Sequence, residues 1–196
     1  MKNRIKEKLP THTLVETNSE NLYIVDYTNL QRGGVEMHIE KPEDIDAIHI
    51  ENKQLVDIIF DGFEHNALPI EPGIHSSQCE CVLFPNTCEE KDWVLFIELK
   101  YPFNEENALR DGNNYPKKMI SQIIETVTYF RINEILLNSQ KVSAIVTFPN
   151  LLQDFSNFIF NGENTIENIL CNYKIRIRAT NSASVLSNKR IKLNSM

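Results

Sequence analysis

Two apolar runs closed by proline, residues 78–84 before Pro85 and residues 92–101 before Pro102, stand on either side of a short polar turn. No other feature constrains the chain as much. Proline cannot donate to a β-ladder, so each run ends at its proline, and two runs this short and this close are expected to pair as an antiparallel hairpin. A long polar loop, residues 103–115, follows, and then Pro116, whose fixed φ suits a first helical turn. Beyond it Ile120, Ile123, Ile124, Val127 and Phe130 recur at three- and four-residue steps. That spacing predicts a helix of about twenty residues ending near Asn138. Residues 142–148 read as a buried strand closed by Pro149, residues 151–160 as a shorter helical stretch, and residues 173–178 as a last alternating strand. A long helix between two strands is a crossover over one sheet face, so the expected class is α/β or α+β on a mixed central β-sheet flanked by helices.

Short strands are expected at residues 22–27, 35–39 (after the Gly33-Gly34 turn) and 47–50, while residues 55–63 fit either a buried strand or a helix. Residues 1–180 read as one domain, with residues 1–70 an N-terminal β-rich extension of strands and turns ahead of a motif-bearing core at residues 77–149. Residues 181–196, polar and carrying Lys189, Arg190 and Lys192, read as a flexible tail. A chain of 196 residues buries roughly 70% of its unfolded surface, which needs neither disulfide nor metal. No run of eighteen apolar residues occurs, and the charged start (Lys2, Arg4, Lys6, Glu7, Lys8) is unlike a secretory leader, so the expected location is the cytoplasm, away from membranes. The cysteines Cys79, Cys81, Cys88 and Cys171 are therefore expected to be reduced. A single residue separates Cys79 from Cys81, which is not zinc-ligand spacing, and both read as buried core residues on one strand face with Leu83.

The segment from Val94 to Lys100 is an apolar strand that abruptly gains two opposite charges at its end. Strand side chains alternate with period two, so Glu98 and Lys100 share a face while Ile97 and Leu99 take the other. On the preceding strand Glu80 shares a face with Gln78 and Val82. Paired as a hairpin, the two strands bring Glu80 beside Glu98, an arrangement that costs energy unless a cation lies between the carboxylates. Mg²⁺ (or Mn²⁺) suits that place, since it is held by one or two carboxylates plus waters and a substrate phosphate. On the long helix Lys118, Gln122, Thr126 and Tyr129 form one stripe beside the apolar face.

Cys79-Glu80-Cys81-Val82-Leu83-Phe84, then Phe96-Ile97-Glu98-Leu99-Lys100, then Ser121-Gln122-Ile123-Ile124-Glu125-Thr126 together resemble the PD-(D/E)XK nuclease superfamily. The resemblance spans residues 77–149 and implies a restriction-endonuclease-like core. It implies Glu80 and Glu98 as metal ligands, Lys100 as the group that orients the attacking water and stabilises developing charge, and Gln122 as an assisting residue. The family usually has Asp where this chain has Glu80, and its upstream helical glutamate matches Glu51, Glu64 or Glu71 equally.

The net charge is −7, from 27 acidic against 20 basic residues, so contact with nucleic acid must come from a local basic patch or from a partner. Lys118 and Tyr129 on the helix, and Lys174, Arg176 and Arg178 alternating along residues 173–178, are the candidate substrate contacts. The sequence has no Gly-rich phosphate loop, Gly-x-Ser-x-Gly elbow or His-Glu-x-x-His helix, which leaves nucleotide hydrolysis, serine hydrolysis and zinc proteolysis without their signatures. Two functions are expected. One is a metal-dependent nuclease acting on DNA before RNA, serving restriction, repair or anti-phage defence, alone, as a homodimer or with a protein partner. The other is a non-catalytic binding or assembly module that keeps the nuclease fold with a degenerate site.

Overall fold

The computed structural model describes residues 1–30, 33–87, 89–110, 115–151, 159–160 and 165–195. In chain order the elements are α1 (Lys2–Lys8), β1 (Leu14–Thr17), β2 (Asn21–Asp26), β3 (Val35–His38), β4 (Ile48–Glu51), β5 (Ile58–Gly62), β6 (Pro69–Glu71), β7 (Ile74–His75), β8 (Cys81–Pro85) and β9 (Trp93–Leu99). There follow α2 (Glu105–Leu109), α3 (Tyr115–Ile132), β10 (Lys141–Thr147), α4 (Ile166–Tyr173), β11 (Ile175–Ala179), β12 (Ser182–Ser187) and β13 (Arg190–Leu193). A six-stranded sheet runs β1-β5-β8-β9-β10-β11 and a five-stranded sheet runs β13-β12-β4-β2-β3. The fold is thus α+β, with sheets flanked by helices.

Three layers result. One core lies between the six-stranded sheet and the helices, where Ile5 of α1, Ile123, Val127 and Phe130 of α3 and Ile169 of α4 meet Val82, Phe84, Val94 and Phe96. The other lies between the two sheets, where Leu22, Ile24, Ile48 and Ile50 meet Leu83, Leu95, Ile97 and Leu99. Covered on both faces, β9 is buried at every position, which is why its sequence is apolar from Trp93 to Ile97 instead of alternating. β11 lies at the sheet edge and shows the alternation of buried and exposed residues that the sequence suggests.

Within the six-stranded sheet β5, β8 and β9 are antiparallel neighbours, with Cys81 opposite Ile97 and Val82 opposite Phe96. β10 then pairs parallel to β9 with Val146 opposite Glu98, and α3 forms the connection across the helical face. The ambiguous stretch at residues 55–63 resolves as β5, a buried strand. Its last residue, Gly62, has no room for a side chain, because a Cβ there would lie 2.7 Å from the carbonyl oxygen of Val35 where β3 crosses.

Several expectations need correction. Residues 181–196 are not a tail: among those described, Ser182–Ser187 and Arg190–Leu193 form a hairpin. The segment is polar in composition, but Ala183, Val185, Ile191 and Leu193 alternate with its polar residues and are buried between the sheets. The charged start forms α1, because Met1, Ile5 and Leu9, four residues apart, put one apolar stripe against the helical core. The helical stretch expected at residues 151–160 falls mostly outside the described residues, as does Cys88. No described helix is long and apolar enough to cross a membrane.

Candidate active site

The site forms where β8 begins and β9 ends. The ladder that sets Cys81 against Ile97 breaks one residue earlier, and the Glu80 amide donates to the Ile97 carbonyl at 3.0 Å. Cys79 packs into the helical core while Cys81 packs between the sheets. The expectation that the two cysteines share a face therefore fails at this irregularity, although both are buried, reduced and raised well above the ordinary thiol value, chiefly by burial.

Glu80, Glu98 and Lys100 come together as the strand alternation implies. Lys100 Nζ donates to Glu80 Oε1 at 2.5 Å and lies 2.9 Å from Glu98 Oε1, so the two carboxylate oxygens are separated by no more than 2.5 Å plus 2.9 Å. The cation found between the carboxylates is the ammonium of Lys100. Its backbone amide donates to Thr147 O at 3.0 Å, which fixes the residue beyond the end of β9 to the end of β10.

The three groups differ in exposure. The Glu98 side chain is 0% exposed, while those of Lys100 and Glu80 are 22% and 16% exposed. Neither Glu98 oxygen accepts a hydrogen bond from the described residues, because the contact with Lys100 lies outside hydrogen-bonding geometry. Burial, and then the neighbouring Glu80, push the Glu98 carboxyl well above the ordinary value, against the pull of Lys100. Burial also raises Glu80, with Lys100 opposing. Burial draws the Lys100 ammonium down, but the two carboxylates outweigh it and hold the group charged far above neutrality. The buried Glu98 carboxyl thus holds its proton more tightly than an ordinary glutamate, while the Lys100 ammonium between the two acids stays charged.

Gln122 reaches the site through the backbone. Its Nε2 donates to Gln78 O at 2.7 Å, and one turn on, Thr126 Oγ1 accepts the Cys79 amide at 2.8 Å. These two bonds tie α3 to the residues that lead into Glu80, so Gln122 is a positioning residue. Tyr129 donates to Pro69 O at 2.9 Å and holds the small β6–β7 hairpin, and Lys118 is exposed in the first turns of α3.

The basic stripe lies elsewhere. Ile175, Ile177 and Ala179 face the helical core, so Arg176 and Arg178 point to the other face of the sheet, where they donate to Ile191 O at 2.7 Å and Leu193 O at 3.4 Å. Glu98 shares the helical face with Phe96. Arg176 and Arg178 therefore take the sheet face opposite Phe96, while Lys174 caps the end of α4 ahead of β11.

Sequence reasoning missed Asp26. This buried residue ends β2, its Oδ1 accepts the Thr28 amide at 2.9 Å, and its charge raises both Glu80 and Glu98. The signal was present, since the run Leu22-Tyr23-Ile24-Val25-Asp26 is another apolar strand interrupted by a carboxylate. Of the upstream glutamates, Glu51 pairs with Lys53 at 2.7 Å, Glu64 offers its carbonyl to Gln78, and Glu71 is exposed on β6. No group of three or more His, Cys, Asp or Glu side chains among the described residues is placed to share a metal ion. Compared with protein families, curated proteins and solved structures, the chain has no significant match.

Proposed function

We propose that this protein is a metal-dependent nuclease with a restriction-endonuclease-like core, acting on phosphodiester bonds. The observation that carries the reading is the buried Glu98, with no hydrogen bond to either oxygen from the described residues, beside Glu80 and Lys100 at one sheet end. Lys100 is the ion-pair partner of Glu98, and a fully buried carboxylate whose hydrogen-bonding capacity is otherwise left open is costly unless it has a role to which further partners are supplied later. The order of parts supports the reading: an acidic residue entering β8, Glu-x-Lys closing β9, then a helix whose glutamine braces the acidic segment. That is the order the resemblance implies.

Glu80 and Glu98 would hold Mg²⁺ or Mn²⁺, a pair of hard oxygen donors of the kind such ions accept alongside water and phosphate. When bound, the ion supplies an activated water and neutralises phosphate charge. Lys100 adds a fixed positive charge where negative charge develops on the scissile phosphate. Gln122 keeps Glu80 in register through the Gln78 carbonyl.

A second reading rests on the position of Lys100. Its ammonium already neutralises Glu80, and a site closed in this way is also what a nuclease-fold binding or assembly module would retain. The experiment is cleavage of single- and double-stranded DNA and RNA with Mg²⁺ or Mn²⁺, comparing the wild type with Glu98→Ala and Lys100→Ala. Metal-dependent cleavage that either substitution reduces at least a hundredfold supports the nuclease. Nucleic-acid binding without cleavage, unchanged by Lys100→Ala, supports the module instead.

A further inference from the structure

We propose that the concave surface between β10, the start of β11 and the β12–β13 hairpin is a binding site for an organic phosphate of nucleotide size. The cavity measures about 660 Å³ and is lined by Lys141, Ser143, Lys174, Arg176, Lys189 and Arg190. A volume of this order falls within the range of small-ligand sites. Five cations from separate elements converge on it, in a protein whose net charge is −7. Among the described residues Lys189 alone is neutralised, by Asp92 at 3.0 Å and by Glu89. Among the described residues no carboxylate stands within ion-pair distance of Lys141, Lys174, Arg176 or Arg190. Like charges gathered on one concave surface repel each other, and an anion in their midst relieves that repulsion.

Two of the cations are held in place. Arg176 Nη2 donates to Ser143 Oγ at 3.2 Å and to Ile191 O at 2.7 Å, which spans the two sheets. Lys174, in a left-handed conformation at the end of α4, donates from Nζ to Cys171 O at 3.0 Å and so covers the negative end of that helix. A guanidinium and an ammonium fixed in advance lose little freedom on meeting a phosphate. Val142, Leu170 and Ile191 supply an apolar wall for the rest of the ligand.

The cavity has a defined rim. Arg178, the next cation on that face of β11, donates to Leu193 O, and Glu89 and Asp92 flank the opposite rim beside Lys189. The lining cations gather in one concave volume of small-ligand size, so a compact phosphate ester is the proposed occupant, and a DNA strand is the alternative that the test below separates. The pocket is also distinct from the candidate active site. Lys141 lies opposite Trp93 at the start of β9, whereas Glu98 lies near its end, roughly 17 Å along the strand and on the other face.

The test is calorimetric titration of the full chain with inorganic phosphate, pyrophosphate, adenosine mono- and triphosphate, and a twelve-nucleotide single strand of DNA. Wild type, Lys141→Glu/Arg190→Glu, Glu98→Ala and the distant control Lys6→Glu are compared, with melting curves confirming that each variant is folded. One-to-one binding of a nucleotide, weakened at least tenfold by the double charge reversal and unchanged in Glu98→Ala and Lys6→Glu, supports the site. Absence of nucleotide binding at millimolar concentration, or binding that the double variant retains, overturns it. Binding of the DNA strand alone, lost in the double variant, overturns the small-ligand assignment and makes the surface a nucleic-acid contact. Because Glu98→Ala leaves this pocket intact, failure here and failure of the nuclease reading are separate results.

Discussion

Replacing Glu98 by Gln should make the protein more stable at neutral pH while removing any activity. Gln has the shape of a protonated glutamic acid, so the substitution removes the ionisable proton and leaves the packing nearly unchanged. Glu98 is fully buried, its oxygens accept no hydrogen bond from the described residues, and burial followed by Glu80 raises it well above its ordinary value of 4.5. Between the unfolded and folded values the native state holds a proton that the unfolded state has released. Stability of the wild type therefore falls as pH rises through that window, by about 1.4 kcal/mol per pH unit for one proton. Glu98→Gln lacks this slope. For each pH unit inside that window the variant should gain on the wild type by about 1.4 kcal/mol, or roughly 3–6 °C in Tm for a domain of this size. Thermal unfolding of both proteins at half-unit steps from pH 5 to pH 8 measures the gap. Adding 10 mM Mg²⁺ should raise the Tm of the wild type alone, since a ligand that binds only the native state stabilises it. Parallel pH profiles, or a variant less stable than the wild type at pH 7.5, would refute the reasoning and make Glu98 an ionised partner of Lys100.

Burial draws the His12 imidazole down, but it lies 2.9 Å from Asp61 and 3.0 Å from Ala67 O, and these acceptors hold it protonated above its ordinary value of 6.5. Its contribution is complete below pH 6.5 and lost as pH rises through the raised value, and His12→Ala, which strands the buried Asp61, should cost about 3–5 kcal/mol in denaturant unfolding. Thr126→Val leaves the buried Cys79 amide without its acceptor and should cost about 1–3 kcal/mol, whereas Gln122→Ala should cost about 1 kcal/mol and lower cleavage more than stability. In a Cys88→Ser background, thiol reagents should label exposed Cys171 quickly and Cys79 and Cys81 only on unfolding. Ending the chain at Asn181 removes β12 and β13, exposes Leu22, Ile24, Ile48 and Ile50, and should abolish cooperative unfolding as followed by circular dichroism.

The strands around the site were legible because their signals are local. β8 ends on Pro85 itself and β9 stops at Leu99, short of Pro102, while the apolar steps from Ile120 to Phe130 define α3 and the period of two places Glu98 with Lys100. The second sheet was not legible as a sheet. Its strands are four to six residues long, and its central pairing joins β4 to β12, which neither segment announces alone. In residues 182–193 the polar composition hid an alternation of only four apolar residues. At the site, the period of two predicts which side chains share a face but not which one fills the space between two others, so the ammonium of Lys100 was not foreseen there. Nor does a period survive a broken ladder, which is why Cys79 and Cys81 parted.

The parallel pairing of β12 with β4 also sets an order of events during synthesis. Glu51 and Ser184, whose side chains meet at 3.4 Å, are separated by 133 positions in the chain. A ribosome making this protein releases β2, β3 and β4 long before the strand that joins them to β13, so the inner face of the five-stranded sheet waits, incompletely covered, while the intervening residues are translated. Contacts this distant in sequence are slow to form. The nascent chain can assemble the hairpin and helix that carry Glu80, Glu98 and Lys100 while this sheet is still missing its last two strands.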